Sequence, residues 1–222
     1  MAPRTANQVC AALATPNVET YEVARSPLKR GIDIVGAAVL LVLCAPLILA
    51  SALLTKLSSP GPAFFVQERV GQSCRRFRLY TLRTMVEGAH EEESALTVRL
   101  AGRTFFKIPN DPRITPLGRF LRTYSIDELP QLVNVLKGEM SLVGPRPILP
   151  SDFQRMPWRL QLERFAARPG MTGLWQVSGR NRLTDAERLT LDIRYVNAWS
   201  LWLDFEILGR TLPVVIRADG AY

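Results

Sequence analysis

The chain is poor in the side chains that form disulfides or bind transition metals. Its 222 residues include three cysteines and one histidine, and Cys10, Cys44 and Cys74 stand far apart in the sequence. A disulfide framework or a zinc site needs several such residues at close spacing. The sequence therefore indicates neither a disulfide framework nor a zinc site, and a reducing compartment fits best.

Charge is absent from one long segment, since no Asp, Glu, Lys or Arg occurs from Ile34 to Thr55. About 20 apolar residues are enough for one helix to cross a bilayer. A buried core helix would normally carry polar residues along one face, and a signal peptide would not begin after more than thirty residues of mixed polarity. We therefore expect a membrane segment over residues 25–57, preceded by a flexible tail over residues 1–24.

Pro46 stands near the middle of the apolar run and predicts a kink or a break, because its ring collides with the preceding turn and it has no N–H. Basic residues stand on both sides of the run: Arg25, Lys29 and Arg30 before it, and Lys56, Arg69, Arg75, Arg76 and Arg78 after it. Positive flanks stay on the cytoplasmic side. A re-entrant hairpin bent at Pro46 satisfies both flanks, whereas a straight span places one of them outside.

The formal net charge of +8 predicts attraction to anions such as phosphorylated small molecules, lipid headgroups or nucleic acid. The sequence contains no helix-turn-helix, RRM or zinc-finger pattern. A basic, membrane-anchored nucleic-acid or scaffold protein is therefore the weaker hypothesis, and we expect no nucleic-acid partner.

Residues 58–222 are predicted to form a cytoplasmic catalytic domain. Alternating apolar and polar residues indicate short strands at 63–66 and 76–82, with little sheet elsewhere. Near the C-terminus, Trp199 and Trp202 begin a segment of mixed apolar and charged residues that is typical of an interfacial or core-packed helix, which Pro213 should end or kink. The predicted fold class is α/β, mainly α, and membrane-associated.

A carboxylate pair, Asp127 and Glu128, opens an amphipathic helix that should end at Gly138. One interpretation is structural: Ser125 and Glu128 have the spacing of a capping box, and the helix dipole favours a negative charge at Asp127. The other interpretation is catalytic, because Arg122 precedes the pair and Arg146 follows on a stiff turn between prolines, where a guanidinium suits phosphate oxygens.

On the catalytic interpretation, the two carboxylates have different roles. A carboxylate at a helix N-terminus is expected to stay ionised at neutral pH, so Asp127 can attack phosphorus. Glu128 can hold a divalent cation that neutralises a diphosphate. The pair therefore predicts phosphoryl-transfer chemistry.

Six motifs in order give the chain a likeness to a known family, from about Leu28 to Ile216. They are Lys29-Arg30-Gly31-Ile32-Asp33, Gln67-Glu68-Arg69-Val70-Gly71, Arg83-Thr84-Met85, the stretch from Ser125 to Gln131, Gly144-Pro145-Arg146-Pro147, and the stretch from Arg168 to Arg180. The chain resembles the bacterial sugar transferases, in particular the small monotopic phosphoglycosyl transferases.

The resemblance implies a re-entrant membrane helix at the cytoplasmic face of the bacterial inner membrane. It also implies a transfer of hexose 1-phosphate from a UDP-sugar to undecaprenyl or another polyprenyl phosphate, with release of UMP. Asp127 would form the covalent intermediate, Glu128 would bind Mg²⁺, and Arg146 and Arg122 would bind phosphate, while Arg180 would lie near the nucleotide. Such enzymes initiate exopolysaccharide or other surface-glycan synthesis. A homo-oligomer is compatible with the resemblance.

The chain departs from the family pattern at two positions. Ala45 replaces the serine that often precedes the hairpin proline, which removes a hydroxyl able to bond freed carbonyls. Thr81 stands where small members have a basic residue. A membrane-bound nucleotide-sugar or lipid diphosphatase is the alternative enzyme, since water can resolve an aspartyl-phosphate intermediate.

Overall fold

The structure is a computed structural model that describes Val23 and residues 26–89, 111–155 and 163–218. Apart from Val23, which is buried, the predicted N-terminal tail lies outside the described residues. The helices are α1 (Pro27–Ser58), α2 (Pro116–Thr123), α3 (Leu132–Lys137), α4 (Pro150–Arg155), α5 (Leu174–Val177), α6 (Asp185–Asn197) and α7 (Leu201–Ile216). The strands are β1 (Phe64–Val70), β2 (Arg76–Leu82), β3 (Ser141–Val143) and β4 (Gly170–Thr172), and short 3-10 turns cover Gln72–Cys74, Ile126–Gln131 and Arg180–Arg182.

Two small sheets accompany the helices. Strands β1 and β2 pair antiparallel, with Phe64 opposite Leu82 and Val70 opposite Arg76. The bounds predicted for β2 are confirmed, while β1 runs four residues beyond its predicted end. Strands β3 and β4 pair parallel and were missed, because three-residue strands buried on both faces show no alternation. The mainly helical fold class is confirmed.

Glycines allow an unusually close approach of backbones where β3 meets β4. A Cβ on Gly170 would lie 2.1 Å from the amide nitrogen of Gly144, and a Cβ on Gly173 would lie 2.4 Å from the carbonyl oxygen of Gly144. The amide of Gly170 also donates to the carbonyl of Pro145 at 2.8 Å. This junction fixes the backbone that leads into Arg146.

The first turns of α1 are held by buried polar groups. Lys29 Nζ lies 2.7 Å from Asp204 Oδ2 and 3.2 Å from the carbonyl oxygen of Val143. The hydroxyl of Tyr195 lies 2.7 Å from Asp204 Oδ1, and Trp199 Nε1 donates to the other carboxylate oxygen at 3.2 Å. Burial in this network raises the pKa of Tyr195 well above its ordinary value. The network joins α1, β3, α6 and α7.

Two further residues of α1 add to this attachment. The guanidinium of Arg30 donates to two carbonyl oxygens in α3, at 2.6 and 2.9 Å, which satisfies groups left unpaired at a helix C-terminus. Asp33 is buried and accepts from Ser141 Oγ and from the amide of Leu142, both at 3.0 Å. The N-terminal end of α1 is thus part of the domain core.

The C-terminal end of α1 is attached to the same domain by Arg83. Its guanidinium is buried and donates to the carbonyl oxygens of Ser59 at 2.9 Å, of Thr55 at 3.4 Å, and of Pro60. A charged donor group thereby satisfies the carbonyls at the end of the helix, where intrahelical partners are missing.

Between these ends, α1 presents an apolar surface to its surroundings. Only 22% of its most apolar 18-residue window is buried, and the helix is long and apolar enough to cross a membrane. The buried core-helix alternative is therefore wrong. Helical backbone continues through Pro46 without interruption, so the predicted break is wrong, while a bend there stays a prediction. The large exposed side chains are Ile34, Val35, Val39, Leu40, Val42, Leu43, Leu47, Leu49, Leu53, Leu54 and Leu57.

The C-terminal helix α7 has one buried and one exposed apolar face. Ile207 is buried in the core, whereas Trp202, Leu212 and Ile216 are exposed, Trp202 at 78%. Pro213 lies inside the helix near its end, three residues before Ile216. The predicted helix is confirmed, and it combines core packing with a large apolar surface suited to an interface.

The glycine junction predicts different outcomes for two Gly→Ala substitutions. Gly170→Ala should lower the free energy of unfolding by about 1–3 kcal/mol, because the new methyl group meets backbone atoms that cannot move aside. Gly209→Ala is the matched control, since an added Cβ would meet nothing within 4 Å and alanine favours a helix over glycine. Thermal unfolding in detergent measures both, and an unchanged midpoint in Gly170→Ala would contradict the argument.

Candidate active site

The carboxylate pair lies in a tight 3-10 turn rather than at the start of an α-helix. Ser125 has a left-handed backbone, with φ of 55°, and its side chain makes no capping hydrogen bond. The predicted capping box is therefore wrong. Pro130 explains the departure, because it has no N–H and disfavours α geometry at the preceding residue. The α-helix begins only at Leu132.

Helix α3 ends at Gly138, as predicted, with φ of 83°. Its buried Asn134 joins the helix to strand β2: the side-chain oxygen accepts from the amide of Tyr80 at 3.2 Å, and the side-chain nitrogen donates to the carbonyl of Arg78 at 2.7 Å. These bonds fix the helix that follows the pair relative to the β1–β2 hairpin.

Arg146 contacts the carboxylate pair directly. Its Nη2 lies 2.6 Å from Glu128 Oε1, and the two side chains are 40% and 21% exposed. The contact joins residues 18 positions apart, and it depends on the glycine junction that sets the backbone of Gly144 and Pro145. The predicted proximity of Arg146 to the pair is confirmed.

A buried ion pair between Arg164 and Asp192 contacts the backbone of Arg146. This pair was not predicted from the sequence. Arg164 donates to the backbone carbonyl of Arg146, and its Nη2 lies 2.8 Å from Asp192 Oδ2. Burial raises the pKa of Asp192 to about 6, although Arg164 acts in the opposite direction. The two residues are 28 positions apart, so no local pattern could reveal the pair.

Arg122 reaches the site from α2 and is held by Thr84. Its Nε donates to Thr84 Oγ1 at 2.8 Å. Arg122 and Arg146 both lower the pKa of Asp127 through their charge, so both guanidinium groups lie within electrostatic range of that carboxyl. The structure thus brings the two arginines that the sequence singled out to the carboxylate pair.

The environment of Asp127 corrects the expectation that it is fully ionised at neutral pH. Its side chain keeps some solvent exposure, yet protein atoms surround the carboxyl group, and this burial, followed by the charge of Glu128, raises its pKa to about 7. Arg122 and Arg146 oppose the shift without cancelling it. Loss of solvation is the largest effect and raises the pKa of this carboxyl. The position at a helix N-terminus had instead predicted a carboxylate that stays ionised at neutral pH.

The third candidate arginine occupies a different loop. Arg180 follows α5, at the start of the turn Arg180–Arg182, and has a left-handed backbone with φ of 48°. Its assignment to a nucleotide stays a prediction.

The carboxylate pair fits a magnesium ion that is shared with a substrate. Among the described residues, no group of three or more His, Cys, Asp and Glu side chains stands ready to hold a metal. Mg²⁺ is usually bound by one or two carboxylates, with substrate phosphates and water completing the shell. Asp127 and Glu128 supply donors of that kind beside two arginines that suit phosphate.

The pKa of Asp127 can be measured without any substrate. The infrared band of the protonated Asp127 carboxyl is obtained as the difference between the native protein and Asp127→Asn in metal-free buffer. This band should disappear as the pH is raised, with a midpoint near pH 7. Glu128→Gln should move that midpoint to lower pH, because a like charge is removed. A midpoint near pH 4 in the native protein would contradict the role of burial.

Comparison with known proteins gives matches over most of the chain. Residues 24–218 match the family described as "Bacterial sugar transferase". The chain is 43% identical over 211 residues to "Galactosyl transferase CpsE" of Streptococcus agalactiae, covering 93% of this chain and 46% of that protein. It is 45% identical over 201 residues to "Undecaprenyl-phosphate galactose phosphotransferase" of Salmonella typhimurium, covering 88% and 42%.

A relative of more similar length is "UDP-glucose:undecaprenyl-phosphate glucose-1-phosphate transferase" of Caulobacter vibrioides, which is 45% identical over 201 residues, covering 87% of this chain and 72% of that protein. The chain spans less than half the length of the first two relatives. The family match extends over nearly the whole chain and includes every element around the carboxylate pair. The protein therefore belongs to the bacterial sugar transferase family.

Proposed function

We propose that the protein transfers a hexose 1-phosphate from a UDP-sugar to undecaprenyl phosphate, or another polyprenyl phosphate, and releases UMP. The observation that carries the proposal is the carboxylate pair Asp127–Glu128, set between Arg122 and Arg146 in a domain that holds both ends of an apolar helix. Relatives are named for this transfer with galactose and with glucose. The product would begin an exopolysaccharide or another surface glycan.

The first step is an attack of an Asp127 carboxylate oxygen on the phosphorus that carries the sugar. A bond from that oxygen to phosphorus forms, the bond to the bridging oxygen of the diphosphate breaks, and UMP leaves with the electron pair. In the second step, a phosphate oxygen of the polyprenyl carrier attacks the same phosphorus. The bond to Asp127 then breaks, which gives a polyprenyl diphosphate sugar and restores the carboxylate.

The raised pKa of Asp127 is compatible with this role. Near neutral pH, a substantial fraction of the group is ionised and can attack. A second anion beside it would normally repel the diphosphate, and two arginines offset that repulsion. Arg146 binds Glu128 at 2.6 Å, and we assign Arg146 and Arg122 to phosphate oxygens of the substrate, because a guanidinium matches their geometry. Arg180 is assigned to the nucleotide on family resemblance alone.

Mg²⁺ is proposed as the cofactor, with Glu128 as its protein ligand. When bound, the ion would neutralise diphosphate charge and stabilise the leaving UMP. Glu128 is suited to this role because its carboxylate contacts the guanidinium of Arg146. The same guanidinium would attract the phosphate oxygens of the substrate and so bring them close to Glu128.

We propose that α1 is a re-entrant helix at the cytoplasmic face of the inner membrane. The helix has 32 residues and would be about 48 Å long if straight, longer than the hydrocarbon core of about 30 Å. Lys29 and Asp33 near its start, and Thr55 near its end, are nonetheless buried within the described domain. A domain on one side of a bilayer can hold both ends of a membrane-embedded helix only if the helix leaves where it entered. The basic flanks support a cytoplasmic location for that side.

The transfer itself can be measured with detergent-solubilised protein, labelled UDP-sugars, undecaprenyl phosphate and Mg²⁺. Native protein should give labelled lipid and UMP. Asp127→Asn should lose about a thousandfold or more in rate, because it removes the nucleophile, and Glu128→Gln should lose activity together with its response to Mg²⁺. Glu206→Gln is the control, since Glu206 forms an exposed pair with Arg210 on α7.

Two results would contradict parts of this proposal. Full activity in Asp127→Asn would remove the covalent intermediate on that residue. Release of UMP without labelled lipid, under conditions where the carrier is present in excess, would identify a diphosphatase that uses water in the second step.

The topology of α1 gives a separate prediction. In a background without native cysteines, Leu28→Cys and Ser58→Cys introduce thiols at exposed positions near the two ends of the helix. A membrane-impermeant maleimide should label both in inside-out vesicles and neither in right-side-out vesicles, because a re-entrant helix has both ends in the cytoplasm. Labelling of one site from each side would instead establish a straight span.

A further inference from the structure

Thr84 belongs to the motif Arg83-Thr84-Met85 and contacts Arg122 of the candidate active site, but the family resemblance assigns it no role. It is a buried residue just beyond the end of β2, and its Oγ1 accepts a hydrogen bond from Arg122 Nε at 2.8 Å. A hydroxyl group gains little from packing in an apolar core, and burying it costs free energy unless it forms a hydrogen bond. The pairing with a charged guanidinium therefore indicates a role in orienting Arg122.

The backbone of Thr84 is itself fixed against α2, the helix that carries Arg122. The amide of Thr115, at the N-cap of α2, donates to the carbonyl oxygen of Thr84 at 3.0 Å. Gly118 approaches this carbonyl so closely that an added Cβ would lie 2.0 Å from the oxygen. Gly118 and Arg122 are four residues apart and so share one helix face. Thr84 therefore touches α2 twice along that face.

Two acidic groups lie within electrostatic range of Arg122. Its charge lowers the pKa of Asp127 in the carboxylate pair, and it also lowers the pKa of Asp111, whose carboxylate Arg113 binds at 2.7 Å. A long flexible side chain between two anions has more than one favourable position. A fixed acceptor for Nε selects one of them.

We propose that Thr84 is a positioning residue of the transferase, whose hydroxyl holds Arg122 in place beside the Asp127–Glu128 pair. The inference rests on the proposed function, since its effect is on the rate of sugar-phosphate transfer. Thr84 does not contact the reacting atoms itself. It acts through the guanidinium that it orients, as a supporting residue must when geometry controls catalysis.

The test compares Thr84→Val, which keeps the shape and removes the hydroxyl, with Thr84→Ser, which keeps the hydroxyl. Thr84→Val should lower kcat/KM for the UDP-sugar by about tenfold to a hundredfold, as expected for losing a hydrogen bond to a charged group. Thr84→Ser should stay within about threefold of the native value. Thr123→Val is the matched control, because the Thr123 hydroxyl donates to a carbonyl of its own helix, that of Arg119, at 2.8 Å.

A double-mutant cycle separates positioning from a merely structural role. In an Arg122→Met background, Thr84→Val should cause no further loss beyond about twofold, because the residue acts through Arg122. Equal losses in both backgrounds, or no rescue by serine, would overturn the inference. If the Arg122→Met protein has no measurable activity, the contrast between valine and serine decides. Thermal midpoints of all variants establish that each is folded.

The outcomes also separate this inference from the proposed function. If the native protein transfers sugar phosphate and Thr84→Val is equally active, the role of Thr84 is wrong and the proposed function stands. Native protein that gives no lipid-linked product with any UDP-sugar would overturn the function and the role of Thr84 together.

Discussion

The attachment of both ends of α1 to one domain is the constraint on which the rest of the structure depends. At one end, the ammonium of Lys29 lies 2.7 Å from the buried carboxylate of Asp204. At the other end, Arg83 binds three carbonyl oxygens at and just beyond the helix terminus. Removing one partner of a buried ion pair leaves an uncompensated charge and costs about 3–5 kcal/mol. Polar contacts at its two ends therefore bind an apolar helix to the rest of the domain.

This attachment also places the carboxylate pair beside the helix. Ala52 of α1 is buried with Leu82 and Leu121, and Ile126, the residue before Asp127, packs against the same cluster. Thr84 lies two residues after Leu82, the last residue of β2, and Arg122 directly follows Leu121 in α2. The charged site and the apolar surface of α1 are therefore neighbours, as the proposed reaction between a water-soluble nucleotide-sugar and a lipid-bound phosphate would require.

Prediction from the sequence succeeded where chemistry is concentrated in short motifs. The grouping of Arg122 and Arg146 around the pair, the end of α3 at Gly138 and the strand Arg76–Leu82 all agree with the structure. It failed where distant residues control a local property. Burial reversed the expected pKa shift of Asp127, Pro130 prevented the capping box at Ser125, and the pair Arg164–Asp192 spans 28 positions without any local signal.

The sequence by itself determined that this protein has one long apolar segment between basic flanks and a pair of adjacent carboxylates between arginines, because hydropathy and charge are properties of consecutive residues. Only the tertiary structure decided how Asp127 is solvated, which groups hold Arg122 and Arg146, and that both ends of α1 meet the same domain. Those properties depend on distances between residues far apart in the chain. Such distances set solvation and hydrogen bonding, and the distances are fixed only once the backbone has folded.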